Sequence, residues 1–327
     1  MSRRAALLVA ESGGHLEQLT RLERRLRPAF DEATYVTSES DQSKTLLAGR
    51  RVRYARRVPP RGLVGAARGF VPALRTLRRS RATDVISTGS AIAVPYLVAA
   101  RLLGRRAHYI ESAARTSGPS VTGRILRRVP GVHLYAQYRR WADAEWRYEG
   151  SVFDGYSVQA STDPKTHAGR VVVTLGTMSQ YPFDRAVAAL ERVLPEVTGP
   201  DTHFLWQVGE VTGYALPGDV HSSVPADDLR AAIRQADLVI AHAGTGSSLQ
   251  ILDAGRVPVL LPRSQEHGEH IDDHQQLIAD ELQSRGLAVI VDPDALRHDH
   301  LLKAMASEVS RDDQTSPFTL ADGSRPD

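Results

Sequence analysis

Several residue types that carry chemistry or anchor a chain in a membrane are absent or scarce in this sequence. Its 327 residues contain no cysteine, and only 6% are aromatic. Without a thiol, disulfides, thiolate metal sites and cysteine nucleophiles are excluded. The longest apolar stretch, residues 91–100, is far shorter than the ~20 residues that cross a bilayer. The apolar start at Ala5–Ala10 meets Glu11 instead of extending into a signal peptide. We therefore expect a soluble, cytoplasmic protein.

Basic residues are concentrated in the first half of the chain and acidic residues in the second. Residues 1–150 contain 28 Lys and Arg against 12 Asp and Glu, a net charge of +16, whereas the remainder contains 13 basic and 26 acidic residues, a net charge of −13. This division favours two domains with different partners. The basic half suits an anionic membrane surface, although arginine-rich usage is also typical of GC-rich coding. Nucleic acid is not expected as a partner, because the basic half has no recognised reader motif.

Apolar strands alternate with helical segments along both halves of the chain. The first half begins with a predicted strand at Ala5–Ala10, and the second restarts the same rhythm at Val171–Leu175. This βαβα order, present twice, predicts an α/β protein of two doubly wound parallel-sheet domains that face each other. The predicted division is a first domain at residues 1–158, a linker at 159–168, a second domain at 169–310 and a flexible tail at 311–327.

Glycine-containing turns follow three of the predicted strands. They are Ser12-Gly-Gly-His15, Ser87-Thr-Gly-Ser90 and Leu175-Gly-Thr177. Ligands of open parallel sheets sit beyond the carboxyl ends of the strands. We therefore expect these turns to border a ligand-binding cleft.

The stretch at residues 241–276 carries the strongest functional signal. An apolar strand leads into His242-Ala-Gly-Thr-Gly-Ser247, and a helical pattern follows. Glycine allows close backbone approach, and a helix N-terminus offers unpaired N–H groups to a diphosphate. Downstream, Gln275 and Gln276 open a further predicted helix, and their amides suit sugar hydroxyls. The pattern is typical of the nucleotide-sugar half of a glycosyltransferase.

These motifs carry a resemblance that covers about 300 residues. Through Val173-Thr-Leu-Gly-Thr177, Trp206-Gln207 and His242–Ser247, the second half resembles the catalytic subunit of the two-subunit transferase that extends dolichol-linked GlcNAc-diphosphate. Through Ser12–His15 and Tyr109-Ile-Glu-Ser112 with Arg115, the first half resembles the membrane-recruiting subunit. The layout is also similar to glycosyltransferase family 28, which has the GT-B fold of two Rossmann-like domains facing across a cleft.

The resemblance implies an inverting transfer from a UDP-sugar to a polyprenyl-diphosphate-linked saccharide, at the inner face of the plasma membrane. His15 and Glu111 compete as the general base, and Glu111 could instead pair with Arg115. The implied acceptor contacts are Ser12, Gly13, Gly14, Thr88, Gly89, Ser112 and Arg115. The implied donor contacts are Gly176, Thr177, His242, Gly244, Thr245, Gly246, Ser247, Gln250, Gln275 and Gln276. Gln250 departs from the acidic residue that related sequences often carry at this position.

No metal and no other cofactor are expected. Asp292-Pro-Asp294 follows the last predicted strand and resembles a turn, and the histidines at 267, 270 and 274 match no zinc motif. Charge on the leaving UDP would then be stabilised by backbone N–H groups and helix dipoles.

The donor sugar stays open among GlcNAc, which is favoured, glucose and glucuronic acid. Two alternatives also remain: a non-hydrolysing UDP-sugar 2-epimerase, which shares the two-domain layout, and a catalytically idle scaffold that recruits a partner to the membrane.

Overall fold

The computed structural model describes residues 4–56, 63–177, 180–270, 274–312 and 315–322. The chain divides into two units, each with its own core. Unit 1 comprises Met1–Asp154 and Thr315–Asp327, and unit 2 comprises Gly155–Gln314.

Unit 1 is built on a seven-stranded, all-parallel sheet with the strand order β4-β3-β1-β5-β6-β7-β8. The strand β1 is buried at every position, as a central strand covered on both faces requires. The strands of this part of the chain are β1 (Ala5–Ala10), β2 (Leu26–Arg27, outside the large sheet), β3 (Glu32–Ser38), β4 (Arg51–Ala55), β5 (Asp84–Gly89), β6 (Arg106–Ile110), β7 (Val132–Ala136) and β8 (Trp146–Tyr148). The helices are α1 (Gly14–Glu23), α2 (Asp41–Leu46), α3 (Leu63–Arg78), α4 (Ala93–Leu102) and α5 (Val121–Leu126).

Unit 2 has a six-stranded parallel sheet with the order β12-β11-β10-β13-β14-β15 and a separate antiparallel pair, β9 with β16. Its strands are β9 (Tyr156–Ala160), β10 (Ala168–Thr174), β11 (Thr198–Gln207), β12 (Asp219–His221), β13 (Leu238–His242), β14 (Val259–Leu261), β15 (Val289–Ile290) and β16 (Ser307–Arg311). Its helices are α6 (Asp184–Val193), α7 (Ala226–Gln235), α8 (Thr245–Asp253), α9 (His274–Ser284) and α10 (His298–Met305). The two parallel sheets confirm the predicted α/β fold class.

Each sheet reverses its strand order next to a central strand. In unit 1 the chain leaves β1 toward β3 on one side and returns to β5 on the other, and in unit 2 the same reversal separates β10 from β13. A reversal of this kind opens a crevice at the carboxyl ends of the two strands, where ligands of open α/β sheets bind. The glycine-containing turns of the sequence follow these four strands, so the fold brings them together in pairs within each unit.

The linker and the tail of the structure differ from the division predicted from the sequence. Residues 156–160 form β9, which pairs with β16 inside unit 2, so the predicted boundary at 158 falls within a strand. The strand β17 (Phe318–Thr319), in the predicted tail, pairs with β2 of unit 1. Phe318 is fully buried, and its ring lies 5.3 Å from that of Tyr135. The polar residues around Phe318 concealed this anchor, because a single buried aromatic residue leaves no periodic pattern.

The helix α3, whose arginines alternate with apolar residues, buries one of its faces in the core of unit 1. Ala73 and Leu77 are completely buried, and Phe70 and Leu74 pack partly against the same core, whereas Val71 is 52% exposed. Among the helices of the described residues, none is both long and apolar enough to cross a membrane.

Replacement of Phe318 tests whether the C-terminal segment stabilises unit 1. We expect Phe318→Ala to lower the free energy of unfolding by about 3–5 kcal/mol, because a large buried side chain is replaced by a cavity. Urea titration followed by tryptophan fluorescence measures this change. The exposed neighbour provides the control, and Thr319→Ala should change stability by less than about 0.5 kcal/mol. Equal stability of the two variants would show that the segment is not part of the folded unit.

Candidate functional site

In unit 1, two glycine-containing turns meet where the sheet reverses its order. The turn after β1 contains Ser12 and Gly13, and α1 begins at Gly14. The ring Nδ1 of His15 lies 2.8 Å from the carbonyl oxygen of Thr88, at the end of β5, and the Thr88 hydroxyl donates a 2.6 Å hydrogen bond to the His15 carbonyl. These reciprocal bonds fix the imidazole against the end of β5.

The contact with Thr88 also sets the tautomer of His15. A carbonyl oxygen only accepts hydrogen bonds, so Nδ1 carries the proton and Nε2 holds a lone pair. The ring packs so closely on Gly89 that a Cβ there would lie 2.9 Å from the His15 Cε1, and the φ of Gly89 is +119°. Burial of the ring lowers the pKa of His15, an effect that the Thr88 hydrogen bond and the nearby carboxylates only partly oppose. His15 is therefore neutral at pH 7 and able to accept a proton at Nε2.

Glu111, the other predicted base, is held in a saturated hydrogen-bond network. Its side chain is 1% exposed. One carboxylate oxygen accepts from the Tyr109 hydroxyl and the Ser112 N–H, both at 3.0 Å, and the other accepts from the Ser120 N–H at 2.9 Å and the Ser120 hydroxyl at 3.0 Å. Ser120 in turn caps α5. Glu111 thus organises the segment between β6 and α5, and the alternative ion pair with Arg115 does not form.

Two buried glutamines that the sequence did not single out support the same segment. The Gln18 amide donates to the Ser112 hydroxyl at 3.1 Å and accepts from the Ala113 N–H at 2.8 Å. The Gln137 amide donates to Gln18 at 3.0 Å and to the Glu111 carbonyl at 2.9 Å. A glutamine on the buried face of an amphipathic helix is the signal that could have indicated Gln18. The predicted acceptor residue Ser112 is therefore part of a rigid network, whereas the predicted acceptor residue Arg115 is exposed.

In unit 2, most of the predicted donor residues line one pocket. It lies where β10 and β13 end, and it includes six of the predicted residues: Gly176, Thr177, His242, Gly246, Ser247 and Gln250. Residues that the sequence did not assign to the site also line it, among them Gln207, Ser223, Val224 and Arg263.

The N-terminus of α8 at this pocket lacks a side-chain cap. The N-cap residue is Gly244, which has no side chain, and the described residues make no side-chain cap bond there. The first backbone N–H groups of a helix have no partner inside it and carry its positive dipole end. The Thr245 hydroxyl is buried and has no hydrogen-bond partner among the described residues. Backbone and side chain therefore both offer unused donors to an anion.

His242 and Gly244 explain the tight turn that leads into α8. The His242 Nδ1 lies 3.3 Å from the Thr174 carbonyl oxygen. A Cβ on Gly244 would lie 2.5 Å from the His242 Nε2, so only glycine fits beside this ring. The close packing brings the end of β10 next to the start of α8.

Gln207 joins two further walls of the pocket. Its amide donates to the Thr174 hydroxyl at 2.9 Å and accepts from the Val224 N–H at 2.9 Å. The sequence did draw attention to Gln207 through the Trp206-Gln207 motif. It contains no pattern, however, that predicts which groups the Gln207 side chain contacts.

The two predicted sugar-binding glutamines do not line the pocket. Gln275 is 3% exposed, and its side-chain oxygen lies 3.3 Å from the backbone nitrogen of Arg263. Gln276 is exposed and donates to Asp280 at 2.9 Å. In this structure both side chains therefore form hydrogen bonds within the protein. The sequence could not predict this, because it does not show the direction in which a side chain points.

Arg263 holds the loop after β10 in place. It is 2% exposed, donates to the carbonyl oxygens of Leu175 at 2.8 Å and Glu269 at 3.0 Å and also to that of Tyr181, and stacks over the Phe183 ring. Burial lowers its pKa, but an arginine remains charged at any physiological pH. Arg263 therefore fixes the pocket wall at Leu175 and the neighbouring Gly176.

Both aspartates of the Asp-x-Asp sequence at residues 292–294 form ion pairs with Arg185. Arg185 donates to Asp292 at 2.7 Å and to Asp294 at 3.2 Å, and its other nitrogens form a two-pronged pair with Glu269 at 2.9 and 3.1 Å. Of the histidines considered as ligands, His270 is buried and stacks on Tyr181, while the His274 side chain lies outside the described residues. Within the described part of the chain, no group of three His, Asp or Glu residues is arranged to hold a metal ion.

Residues 170–318 match the model of the glycosyltransferase family 28 C-terminal domain. The chain is 28% identical over 247 residues to the UDP-N-acetylglucosamine–N-acetylmuramyl-(pentapeptide) pyrophosphoryl-undecaprenol N-acetylglucosamine transferase of Cupriavidus pinatubonensis. This alignment covers 73% of the chain and 67% of the relative.

Solved structures show the same fold. MurG from Acinetobacter baumannii is similar with a TM-score of 0.55 at 17% identity, covering 92% of this chain and 89% of that one. The spinosyn forosaminyltransferase SpnP has a TM-score of 0.58 at 17% identity, covering 93% and 90%. The second part of the chain therefore carries a glycosyltransferase family 28 C-terminal domain, and the whole chain is similar to UDP-sugar transferases of that family and has the GT-B fold.

Proposed function

We propose that this enzyme transfers a sugar, GlcNAc being favoured, from a UDP-sugar to a polyprenyl-diphosphate-linked saccharide in surface polysaccharide synthesis. The observation that carries the donor half is the pocket of unit 2, which is lined by Gly246 and Ser247 of the uncapped first turn of α8. The Thr245 hydroxyl, which has no partner among the described residues, precedes these two residues in the same turn. These donors suit a diphosphate, since a helix N-terminus binds anions through backbone N–H groups and its dipole. The name of the relative from Cupriavidus supports UDP-GlcNAc and a lipid-linked acceptor.

In this proposal His15 of unit 1 is the general base. Its Nε2 lone pair faces away from the Thr88 contact, and its lowered pKa keeps the ring neutral. The base would take the proton from an acceptor hydroxyl, whose oxygen attacks the anomeric carbon while the bond to UDP breaks with inversion. Glu111 is the weaker candidate, because its two oxygens already accept four hydrogen bonds.

The charge on the departing UDP would be stabilised without a metal ion. The first-turn N–H groups of α8 and the Thr245 hydroxyl supply fixed hydrogen-bond donors. Preorganised donors of this kind stabilise the negative charge that develops during bond cleavage more strongly than water does. The carboxylates of Asp292 and Asp294, the nearest match to a metal-binding motif, are paired with Arg185.

The helices α3, α4 and α5 of unit 1 have exposed groups that suit an anionic membrane. The helices α3, α4 and α5 pack on the same core, and each carries an exposed apolar side chain: Val71 at 52%, Leu102 at 68% and Val121 at 45%. Exposed arginines lie on or directly after α3 and α5, at residues 75, 78, 79, 124, 127 and 128. Basic residues interleaved with apolar ones bind acidic lipid surfaces, which supports a peripheral location at the inner face of the plasma membrane.

Turnover with a panel of UDP-sugars tests the whole proposal. We expect UDP release from one donor only when a polyprenyl-diphosphate sugar is present, at an undiminished rate in EDTA, and faster on anionic than on neutral vesicles. Interconversion of UDP-sugars without any lipid would identify an epimerase. Binding of UDP without turnover on any acceptor would favour a recruiting scaffold.

Replacement of Thr245 tests the diphosphate site. We expect Thr245→Val to weaken UDP binding roughly 10- to 100-fold in calorimetry, because a hydrogen bond to a charged group is worth roughly 1.5–3 kcal/mol. Ser248→Ala is the control on the same helix: the Ser248 hydroxyl bonds the Gly244 carbonyl at 2.9 Å, so UDP affinity should change less than twofold. Equal affinities for Thr245→Val and the native protein would place the diphosphate elsewhere.

His15 and Glu111 should respond differently to substitution. We expect His15→Gln to reduce kcat about 10²–10⁴-fold, the usual contribution of a general base, with UDP affinity and melting temperature retained. Glu111→Gln should mainly lower the melting temperature, because its network loses a charged acceptor. In the native enzyme kcat/KM should fall as pH drops through the lowered pKa of His15. A variant at His15 that retains full kcat would exclude this base.

A further inference from the structure

Among the described residues, unit 1 has three buried carboxylates, Glu11, Asp84 and Glu111. Asp84 is paired with Arg106, and Glu11 differs from both of the others. Glu11 is 8% exposed, and neither of its carboxylate oxygens has a hydrogen-bond partner in the described part of the chain. A buried charge without a partner destabilises a fold, and such a group in a native protein calls for a functional explanation. Glu111, with four donors around it, needs no such explanation.

The position of Glu11 in the fold connects it with His15. Glu11 follows Ala10, the last residue of β1, and Ala10 pairs with Gly89 of β5. The His15 ring packs on Gly89 and bonds the carbonyl of Thr88. Glu11 and the imidazole thus lie at the same carboxyl edge, on either side of the glycine-rich turn.

The charges around His15 do not cancel one another. Glu111, at the end of β6, and Glu11, at the end of β1, both favour its protonated form, while Arg115 opposes it. The groups of β5 that contact the ring, at Thr88 and Gly89, and the hydroxyl of Tyr109 are neutral. Glu111 accepts hydrogen bonds from Tyr109, Ser112 and Ser120, whereas no described residue donates a hydrogen bond to Glu11.

We propose that Glu11 is a positioning residue that acts through His15: its unpartnered carboxylate stabilises the imidazolium that forms when Nε2 takes the proton of an acceptor hydroxyl. The inference rests on the proposed function for the identity of that hydroxyl. In the transfer step the hydroxyl proton moves to Nε2, the oxygen bonds to the anomeric carbon, and the bonding electrons to UDP leave with the diphosphate. The negative charge of Glu11 is then balanced by the new positive charge beside it.

Titration of His15 in the absence of substrate tests the inference. The imidazole Cε1–H resonance, assigned with His15→Gln, would be followed by NMR from pH 4 to 9 in the native chain and in Glu11→Gln. We expect the pKa of His15 to fall in Glu11→Gln, because the imidazolium loses an attractive charge. In Glu11→Asp, which keeps the negative charge, the pKa of His15 should lie between its values in Glu11→Gln and in the native chain. Glu17→Gln is the matched control on α1, since Glu17 pairs with Arg21 at 2.7 Å, and it should leave the pKa of His15 unchanged.

Two further readouts separate this role from a structural one. Glu11→Gln should raise the melting temperature by about 2–4 °C, since a neutral amide is less costly to bury, and should lower kcat about tenfold with the donor KM unchanged. An unchanged pKa of His15 in Glu11→Gln would overturn the inference, whatever the activity. A lowered pKa in a protein that transfers no sugar would support the coupling while refuting the proposed function.

Discussion

The reversal of strand order at the centre of each sheet is the constraint on which the candidate sites depend. Because β1 and β5 in unit 1, and β10 and β13 in unit 2, are parallel neighbours, their following turns are forced to the same edge. Each turn must then pass close to its neighbour, which explains why glycine stands at positions 89 and 244, where a Cβ would collide with His15 or His242. The placement of both histidines follows from this packing.

Hydrogen-bond satisfaction distinguishes the groups that build the sites from those available for chemistry. Glu111 and Arg263 are buried and fully engaged with neighbouring groups, and they hold loops in fixed positions. Glu11 and the hydroxyl of Thr245 are also buried but have no hydrogen-bond partner within the residues that the structure describes. Burying a polar group without a hydrogen bond lowers the stability of the fold. At such positions a bound ligand or a new opposite charge can compensate for that cost.

The sequence predicted the central strands and the glycine-rich turns because both depend on local patterns. Continuous apolar runs such as Ala5–Ala10 indicate strands buried on both faces, and their chain order specifies the parallel sheets. Contacts between distant segments leave no such pattern. The link between Gln18 and Gln137, the inward turn of Gln275 and the burial of Phe318 depend on side-chain directions that only the folded chain defines. The predicted domain limits differed for the same reason, since β9 is stabilised by its distant partner β16.

A crystal structure of the protein with UDP tests the central claim most directly. The account predicts the diphosphate within hydrogen-bond distance of the backbone N–H groups at the start of α8 and of the Thr245 hydroxyl, with the nucleoside extending along the pocket wall that contains Gln207 and Val224. A diphosphate bound at the glycine-rich turn of unit 1, with the α8 terminus empty, would contradict it.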